Sequence, residues 1–238
     1  MNERTFKDLL YEQVARIGKA VSSPKRLELL ELLAQGEKTV EALARELSTD
    51  IKLASAHLKA LKEARLVDSR REGKYVVYRL SGSDVAALWV LLRQVAEEHL
   101  LELRLTLDRL VANPATLISV GREALLEQAR RGDVIVIDVR PPDEYRAAHL
   151  PFARSMPLTE IERRLAELPA DKEIVAYCRG PFCLLSDQAV NLLAGRGYRA
   201  RKILDGVSEW QAAGLPLASA SSPESRNTPF FTPQEPVP

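Results

Sequence analysis

The chain has two cysteines, Cys178 and Cys183, and their placement indicates thiol chemistry. Cys178 directly follows the segment 173–177, apolar from Ile174 onward, which predicts a buried β-strand, and a helix is expected soon after Cys183. On such a strand-to-helix loop, backbone amides and the helix N-terminus favour a thiolate over a thiol. Arg179 adds positive charge beside it. We therefore predict that Cys178 is reactive, the alternative being an inert buried cysteine.

The spacing of the two thiols excludes several other kinds of site. A phosphatase or arsenate-reductase loop of the Cys-x5-Arg type needs an arginine where this chain has Leu184. A thioredoxin-like site needs two cysteines separated by two residues, and here four residues separate them. Two cysteines without clustered histidines are also a poor zinc site, and they are too few for a disulfide scaffold.

The elements that would position this loop alternate between strands and helices. Such alternation predicts an α/β domain with a parallel sheet, whose functional loops lie at the carboxyl ends of the strands. The expected strands are 134–139, 173–177 and 201–204, and the expected helices are 161–168, 184–194 and 207–213.

Residues 115–218 resemble a single rhodanese-like (sulfurtransferase) domain. The resemblance rests on the stretches VIDVRPPDEYRAAHLPFA, AYCRGPFC and LDGVSEWQAAGLPL. It implies that Cys178 attacks a sulfane-sulfur donor and holds the resulting persulfide among loop amides. It further implies mainly structural roles for Asp138, Arg140 and His149, and a packing role for Gly206, Trp210 and Gly214.

Cys183 departs from the pattern of this family. Members that handle thiosulfate often carry Arg, Lys, Thr or Ser at this last loop position, so thiosulfate is in doubt as the donor. A thiol there could resolve a Cys178 persulfide or sulfenate through a disulfide or polysulfide bridge. Proximity without bridging remains the alternative, because a disulfide needs Cα atoms within about 7 Å.

The first 112 residues are rich in helix-forming Leu, Ala, Glu, Lys and Arg and predict a mainly helical region. Alternating residues around a glycine turn predict one β-hairpin within it. The last helix would be long and amphipathic and would need a partner helix to cover its apolar stripe. The expected helices are 6–21, 24 to about 36, 39–47, 50–64 and 83 to about 111, with the hairpin over 66–80.

A local excess of positive charge indicates nucleic-acid binding, although the whole chain has a net charge of only +1. Residues 45–80 contain nine basic and five acidic side chains. Lys and Arg contacts to phosphates dominate affinity for DNA, and side chains early in a recognition helix contact base edges. Two short helices followed by a basic hairpin predict a winged helix-turn-helix.

Residues 24–80 resemble the ArsR-type winged-helix repressors. The matching stretches are PKRLELLELLAQGEKTVEALARELS, ASAHLKALKEARLV and REGKYVVYRL. The resemblance implies a homodimer on double-stranded operator DNA, with the first and last helices at the dimer interface. It assigns DNA-facing positions to Lys52, Ser55, Ala56 and Lys59 on the recognition helix, and to Arg70, Arg71 and Lys74 on the wing.

The metal sites common in this family are missing from the sequence. The usual thiolate pair would fall at Thr39 and Glu41, and the usual carboxylate–histidine pair fails at Ala86, two residues after Asp84. His99 and Glu102 have helical i, i+3 spacing but show no further ligand. We therefore predict neither a metal nor a cofactor.

The predicted organisation is a mainly α winged helix-turn-helix domain over 1–112, an α/β rhodanese-like domain over 115–218 and a disordered tail over 219–238. Proline and serine dominate the tail, and Asn113-Pro114 marks the boundary between the domains. We expect no signal peptide, no membrane partner and a cytoplasmic location.

The favoured hypothesis is a repressor whose second domain senses or transfers reactive sulfur, or responds to an oxidant, through Cys178. One alternative is an enzyme that is primarily a sulfurtransferase and forms a Cys178 persulfide. The other is an arsenical or redox sensor that uses both thiols. The sequence leaves open the operator, the sulfur donor and acceptor, and the direction of any DNA-binding response.

Overall fold

The computed structural model describes residues 2–110, 116–118 and 120–220. The chain divides into two compact units, which are described separately here. The predicted boundary at 113–114 and the part of the predicted tail beyond residue 220 lie outside the described residues. Ala220, within the predicted tail, is described, and its amide donates to the Arg146 carbonyl oxygen at 3.1 Å. In the part of the chain that the structure describes, no helix is both long and apolar enough to cross a membrane.

The N-terminal unit contains helices and a small antiparallel sheet of order β1-β3-β2. The glycine at the hairpin turn, Gly73, has a φ of +58°, a conformation that glycine adopts without steric cost. The elements are α1 (Glu3–Val21), α2 (Pro24–Ala34), β1 (Lys38–Thr39), α3 (Val40–Glu46), α4 (Ile51–Glu63), β2 (Val67–Glu72), β3 (Tyr75–Leu80), α5 (Ser83–His99) and α6 (Leu101–Leu110).

Side-chain caps fix the starts of the two helices of the helix-turn-helix. The Thr39 hydroxyl accepts a hydrogen bond from the amide of Ala42, and the Asp50 carboxylate accepts one from Leu53. Ser23 precedes α2 at the expected position but makes no such side-chain bond. The caps supply partners for amides that the first helical turn cannot satisfy by itself.

The prediction of one continuous helix from Ser83 to about Val111 is wrong. The chain leaves the helical conformation at Leu100, where φ is −103° and ψ is 102°, and α6 begins at the next residue. Neither proline nor glycine lies at the break, so the sequence pattern carries no signal for it. Val111 itself lies outside the described residues.

The C-terminal unit is built on a parallel sheet of order β5-β4-β6-β7. The expected helix over 161–168 is instead a 3-10 helix, Glu162–Glu167, preceded by another over Leu158–Glu160. The remaining elements are α7 (Arg122–Arg131), β4 (Val134–Asp138), α8 (Pro142–Ala147), β5 (Arg154–Ser155), β6 (Glu173–Tyr177), α9 (Leu185–Gly195), β7 (Ala200–Lys202) and α10 (Val207–Ala212).

Alternate residues of the central strands pack into apolar clusters on the two faces of this sheet. Ile174 and Ala176 of β6 pack in the cluster that includes α9, whereas Val175 and Tyr177 pack in the cluster that includes Trp210 of α10. The period of two along a strand places successive side chains on opposite faces. Both faces are therefore covered, which explains the uninterrupted apolar run before Cys178.

A short segment pairs with β7 at the edge of the sheet. Leu117 forms an isolated parallel bridge with Lys202, and the amide of Ile118 donates to the Lys202 carbonyl oxygen at 2.9 Å. The segment immediately before it in sequence, 111–115, lies outside the described residues. The chain thus joins the sheet at its β7 edge before α7 begins.

Candidate functional site

Cys178 lies at the carboxyl end of β6, as predicted, and only 2% of its surface is exposed. Its Sγ lies 3.2 Å from the Cys183 carbonyl oxygen, to which the protonated thiol donates, and 3.2 Å from the Ser186 hydroxyl oxygen. Both cysteines are free thiols, and Cys183 is partly buried. The structure therefore brings together the two predicted thiols and adds a hydroxyl from the first turn of α9.

The hydrogen bonds around Cys178 favour its thiolate form. Burial alone would raise the pKa of Cys178, but bonds from the Cys183 thiol and from the Ser186 hydroxyl and amide outweigh it and lower the pKa to about 6. The bond to Cys178, together with burial, raises the pKa of Cys183 far above its ordinary value. The pair thus consists of one nucleophilic sulfur and one sulfur that keeps its proton.

The guanidinium of Arg179 is engaged by a carboxylate. Its Nε lies 3.1 and 3.0 Å from the two carboxylate oxygens of Glu144, a residue of α8 that is almost fully buried. A bidentate pair of this kind fixes the arginine in one orientation. Its charge is therefore balanced by Glu144 rather than left to act on Cys178 alone, and a catalytic role for Arg179 stays a prediction.

The backbone after β7 packs directly against the cysteine loop. A Cβ atom on Gly206 would lie 2.6 Å from the carbonyl oxygens of Cys178 and Arg179, so only glycine fits there. Gly180 has a φ of +144°, and a Cβ there would lie 3.2 Å from the Glu209 carboxyl oxygens. Glu209 in turn accepts a hydrogen bond from the Gly206 amide at 2.7 Å. Gly206 and Glu209 therefore pack against the cysteine loop and restrict its backbone.

A buried polar network supports the end of β6. Arg140 and Asp138, both fully buried, form an ion pair, and the Tyr177 hydroxyl donates to Asp138 at 2.5 Å. Burial raises the pKa of Tyr177 well above its ordinary value, so the phenol keeps its proton. His149 stacks on Tyr145, and burial lowers the pKa of His149. The network satisfies its members internally, which fits the structural roles predicted for Asp138, Arg140 and His149.

The predicted DNA-facing residues of α4 share one face of that helix. Ala54, Leu58 and Leu61 are buried in the core of the N-terminal unit. With 3.6 residues per turn, the opposite face carries the predicted set, of which three members are exposed and Ser55 is partly buried. That set is Lys52, Ser55, Ala56 and Lys59.

The predicted wing residues Arg70, Arg71 and Lys74 are all exposed on the hairpin. Arg70 forms ion pairs with two carboxylates, Glu37 at 2.5 Å and Glu72 at 2.8 Å, so its positive charge is already compensated. The hydrogen bond from Arg70 lowers the pKa of Glu37. Arg71 donates to the Gly73 carbonyl oxygen, and the Lys74 ammonium lies 5.2 Å from the centre of the Tyr75 ring.

The residues weighed as metal ligands do not assemble. The spacing of His99 and Glu102 on a single helix is lost, because the chain leaves the helix at Leu100 between them. The Thr39 hydroxyl caps α3 instead. Across residues 2–110, 116–118 and 120–220, no group of three or more His, Cys, Asp or Glu side chains is arranged to hold a metal ion.

Comparisons with known proteins match both units. Residues 23–69 match the family described as bacterial regulatory protein, arsR family. The HTH-type transcriptional regulator Rv0324 of Mycobacterium tuberculosis is 44% identical over 211 residues, which cover 89% of this chain and 92% of that protein. The chain belongs to the ArsR family. Its winged helix-turn-helix is thus the DNA-binding part of a transcriptional regulator, and the predicted fold class is confirmed.

The second half of this ArsR-family regulator matches the rhodanese-like domain over residues 122–213. A sulfurtransferase of Allochromatium vinosum is 34% identical over 88 residues, which cover 37% of this chain and 80% of that protein. A solved winged helix-turn-helix domain of Mb0332 from Mycobacterium bovis, titled as homodimeric, is 49% identical and covers 42% of this chain and 91% of that one, with a TM-score of 0.39. The regulator is therefore an ArsR-type domain joined to a rhodanese-like domain.

Sequence analysis of the regulator missed two residues that define the thiol site. Ser186 lies eight positions after Cys178, and only the turn into α9 brings its hydroxyl to the sulfur. Glu144 is 35 positions before Arg179 and resembles an ordinary helical residue in sequence. One sequence signal could have identified Ser186: it is a serine at the predicted start of the helix after the cysteine loop, where backbone amides and a hydroxyl can reach the sulfur.

Proposed function

We propose that this ArsR-family regulator is a homodimeric, cytoplasmic repressor whose rhodanese-like domain senses reactive sulfur through Cys178. The observation that carries the proposal is the pairing of Cys178, whose pKa is lowered to about 6, with the Cys183 thiol in hydrogen-bond contact. A low-pKa thiolate is a nucleophile at neutral pH, and a neighbouring thiol can convert its sulfur adduct into a bridge.

The proposed reaction needs no reagent beyond a sulfane-sulfur donor. The Cys178 thiolate attacks the sulfane sulfur, the S–S bond of the donor breaks, and its leaving group departs with the electron pair. Modification of Cys178 removes the hydrogen bond to its thiolate that raises the pKa of Cys183. Cys183 then gives its proton to water, attacks Sγ of the Cys178 persulfide, expels hydrosulfide and closes a Cys178–Cys183 disulfide. Loss of the thiol hydrogen bonds would change the packing at the start of α9.

Operator binding is assigned to the exposed face of α4 and to the wing. Lys52 and Lys59 are exposed on α4, and Arg71 and Lys74 are exposed on the hairpin. A recognition helix in the major groove with a wing on the adjacent backbone would place both sets against phosphates. Double-stranded DNA is therefore the partner that this charge distribution favours.

Exposed apolar side chains support the homodimer. They occur on α1, α5 and α6, the helices at the two ends of the N-terminal unit, where a second copy would cover them. They are Phe6, Leu9, Leu10, Tyr11, Val14, Leu91, Val95, Leu101 and Leu105.

Contacts within the rhodanese-like domain supply a route from the sulfur site toward the interdomain segment. Ser186 contacts Cys178, and the next residue, Asp187, forms a largely buried ion pair with Lys202. The Lys202 carbonyl oxygen accepts the hydrogen bond from Ile118, three residues after the segment 111–115. A shift at the start of α9 would thus act on the strand edge where the chain enters this domain.

The test measures operator affinity before and after exposure to a sulfane-sulfur donor. A duplex selected from a random pool by the reduced protein serves as the operator, and an alkyl hydropersulfide and inorganic polysulfide serve as donors. We expect the wild-type Kd to change by at least about tenfold, about 1.4 kcal/mol. Cys178→Ser should bind the duplex like the reduced wild type and ignore both donors. A full response from Cys178→Ser would show that the sensor proposal is wrong.

A second candidate function is catalytic sulfur transfer, favoured by the likeness to the A. vinosum protein named as a sulfurtransferase. The two functions differ in stoichiometry. An enzyme would pass many sulfur atoms per Cys178 to an acceptor thiol, whereas a sensor would stop after one modification. Counting transferred sulfur per protein with excess donor and acceptor separates them.

A further inference from the structure

We infer that the sulfur site takes its sulfur from organic hydropersulfides with uncharged, apolar substituents, and that Leu184 and Leu204 bind the substituent. This inference rests on the proposed reaction of Cys178 and adds the chemical class of the donor. It concerns the mouth of the site, defined here as Leu184 at the end of the cysteine loop and 204–206 beside that loop.

The cations beside the mouth are matched by carboxylates. Arg179 is held by both oxygens of Glu144. Arg122 is held by Asp205, with Nε 2.6 Å from one carboxylate oxygen and Nη2 3.0 Å from the other, and this pairing raises the pKa of Arg122. A compensated pair presents a dipole, whose attraction for an anion falls off faster than that of a single charge. A dianion such as thiosulfate therefore gains little from either arginine.

The exposed side chains beside the loop are apolar. Leu184 follows Cys183 directly before α9 and is 42% exposed. Leu204 is 40% exposed and continues β7, whose Lys202 is paired with Ala176 two residues before Cys178. Register therefore places Leu204 level with Cys178 on the neighbouring chain segment. An apolar substituent on the donor would remove surface of both leucines from water.

The reaction with such a donor balances without an added oxidant. The Cys178 thiolate attacks the terminal sulfur of neutral R–S–SH, the bond between the two donor sulfurs breaks, and a new bond joins Sγ to the transferred sulfur. The electron pair leaves on R–S⁻, which takes up a proton from water, and Cys178 becomes the persulfide. The charge that develops lies on the departing thiolate and not on the apolar group R.

The experiment compares the rates at which three donors react with Cys178 in the full chain. Intact-protein mass counts the Cys178 persulfide and the Cys178–Cys183 disulfide formed from it together. The donors are benzyl hydropersulfide, 4-carboxybenzyl hydropersulfide and thiosulfate, so that the first two differ by one charge. In the wild type, we expect benzyl hydropersulfide to react at least about tenfold faster than either anionic donor.

Two variants locate the preference in the leucines, and a third serves as control. Leu184→Arg should raise the thiosulfate rate several-fold by adding an uncompensated cation, and Leu204→Ser should slow benzyl hydropersulfide while leaving thiosulfate unchanged. Gln188→Arg adds the same charge one helical turn further along α9, at an exposed position. It should leave the ratio of the two rates within about twofold of the wild type, as a surface charge screened by salt would.

The possible failures are distinguishable. Faster reaction with thiosulfate than with benzyl hydropersulfide in the wild type would overturn this inference and leave the sulfur sensor intact. Equal effects of Leu184→Arg and Gln188→Arg on the thiosulfate rate would also overturn it, because an added positive charge would then act equally well away from residue 184. Absence of both a Cys178 persulfide and a Cys178–Cys183 disulfide with all three donors would overturn the proposed function as well.

Discussion

The exposed face of α4 in the DNA-binding unit and the buried network at the end of β6 in the rhodanese-like domain use charged residues in opposite ways. On α4, Lys52 and Lys59 are exposed. Lys59 makes a long ion pair with Glu63, with 3.9 Å between Nζ and the carboxylate oxygen. In the rhodanese-like domain, Asp138 and Arg140 are fully buried and paired with each other. Surface charges of the first kind are available to a partner, whereas those of the second kind hold the structure together.

This difference explains where function can be recognised in each unit. A DNA surface needs charges that remain in water until phosphates replace the counterions, so exposure and helical spacing identify it. A reactive thiol needs a fixed set of donors in a largely dry site, so its residues are identified by contacts between distant positions. The following predictions test this contrast, in order of decreasing expected effect.

The first substitution, Asp138→Asn, should cause the largest loss of stability. It removes the carboxylate that forms an ion pair with the fully buried Arg140, and breaking a buried pair by changing one partner typically costs about 3–5 kcal/mol. Urea unfolding can be followed by Trp210 fluorescence in a Trp89→Phe background, so that the signal reports the rhodanese-like domain. Asp133→Asn, which removes the exposed pair with Arg131 in the same domain, is the matched control and should leave the unfolding midpoint unchanged. Similar midpoints for both variants would contradict the contrast.

The second prediction concerns the pH dependence of Cys178. Because its pKa is lowered to about 6, iodoacetamide should alkylate Cys178 at half its maximal rate near pH 6, before Cys183 reacts. Ser186→Ala removes a hydrogen bond to the sulfur and should move this midpoint upward by about one pH unit. Peptide mapping after timed alkylation gives both rates. A wild-type midpoint near 8.5, the ordinary thiol value, would refute the prediction.

The lowered pKa of Cys178 also makes the stability of the folded state depend on pH. A thiol whose pKa is lower in the folded than in the unfolded chain stabilises the folded state most fully above the unfolded value, and this contribution is lost as the pH falls through about 6. Cys178→Ser should flatten that part of the stability profile, which denaturant titrations between pH 5 and 9 would record.

The third prediction compares two basic residues of the DNA-binding unit. Lys59→Ala should weaken operator binding several-fold and reduce the slope of log K against log salt by about one, because a phosphate contact is lost. Arg70→Ala should change affinity less than twofold, since Glu37 and Glu72 already balance its charge. Fluorescence anisotropy over a salt series measures both. A larger loss from Arg70→Ala would show that the pair opens on DNA.

Local sequence signals predicted the elements that depend on local physics. The run 173–177 gave β6 with its observed bounds, because a strand covered on both faces is apolar throughout. The helices expected over 39–47 and 50–64 are observed as α3 and α4, each beginning one residue later because Thr39 and Asp50 are their N-caps. Cys178 and Cys183 were identified from the strand-to-helix position alone.

Features that depend on tertiary contacts were missed. The two-residue strands β1 and β5 are too short to show a period, and they exist because neighbouring strands offer hydrogen bonds. The break at Leu100 has no local breaker. The Glu144 partner of Arg179 is set by packing of α8 against the loop, which no spacing in the sequence encodes.

The pairing of 116–118 with β7 also sets the length of the tether between the two domains. The attachment at this edge includes the backbone hydrogen bond from the Ile118 amide to the Lys202 carbonyl oxygen, and a single bond of this kind contributes about 1 kcal/mol. If it opened, three residues would pass from the sheet to the tether and lengthen its maximal reach by about 10 Å. The local concentration of one domain around the other would fall accordingly, so fraying at one strand edge would adjust the distance over which the domains can act on each other.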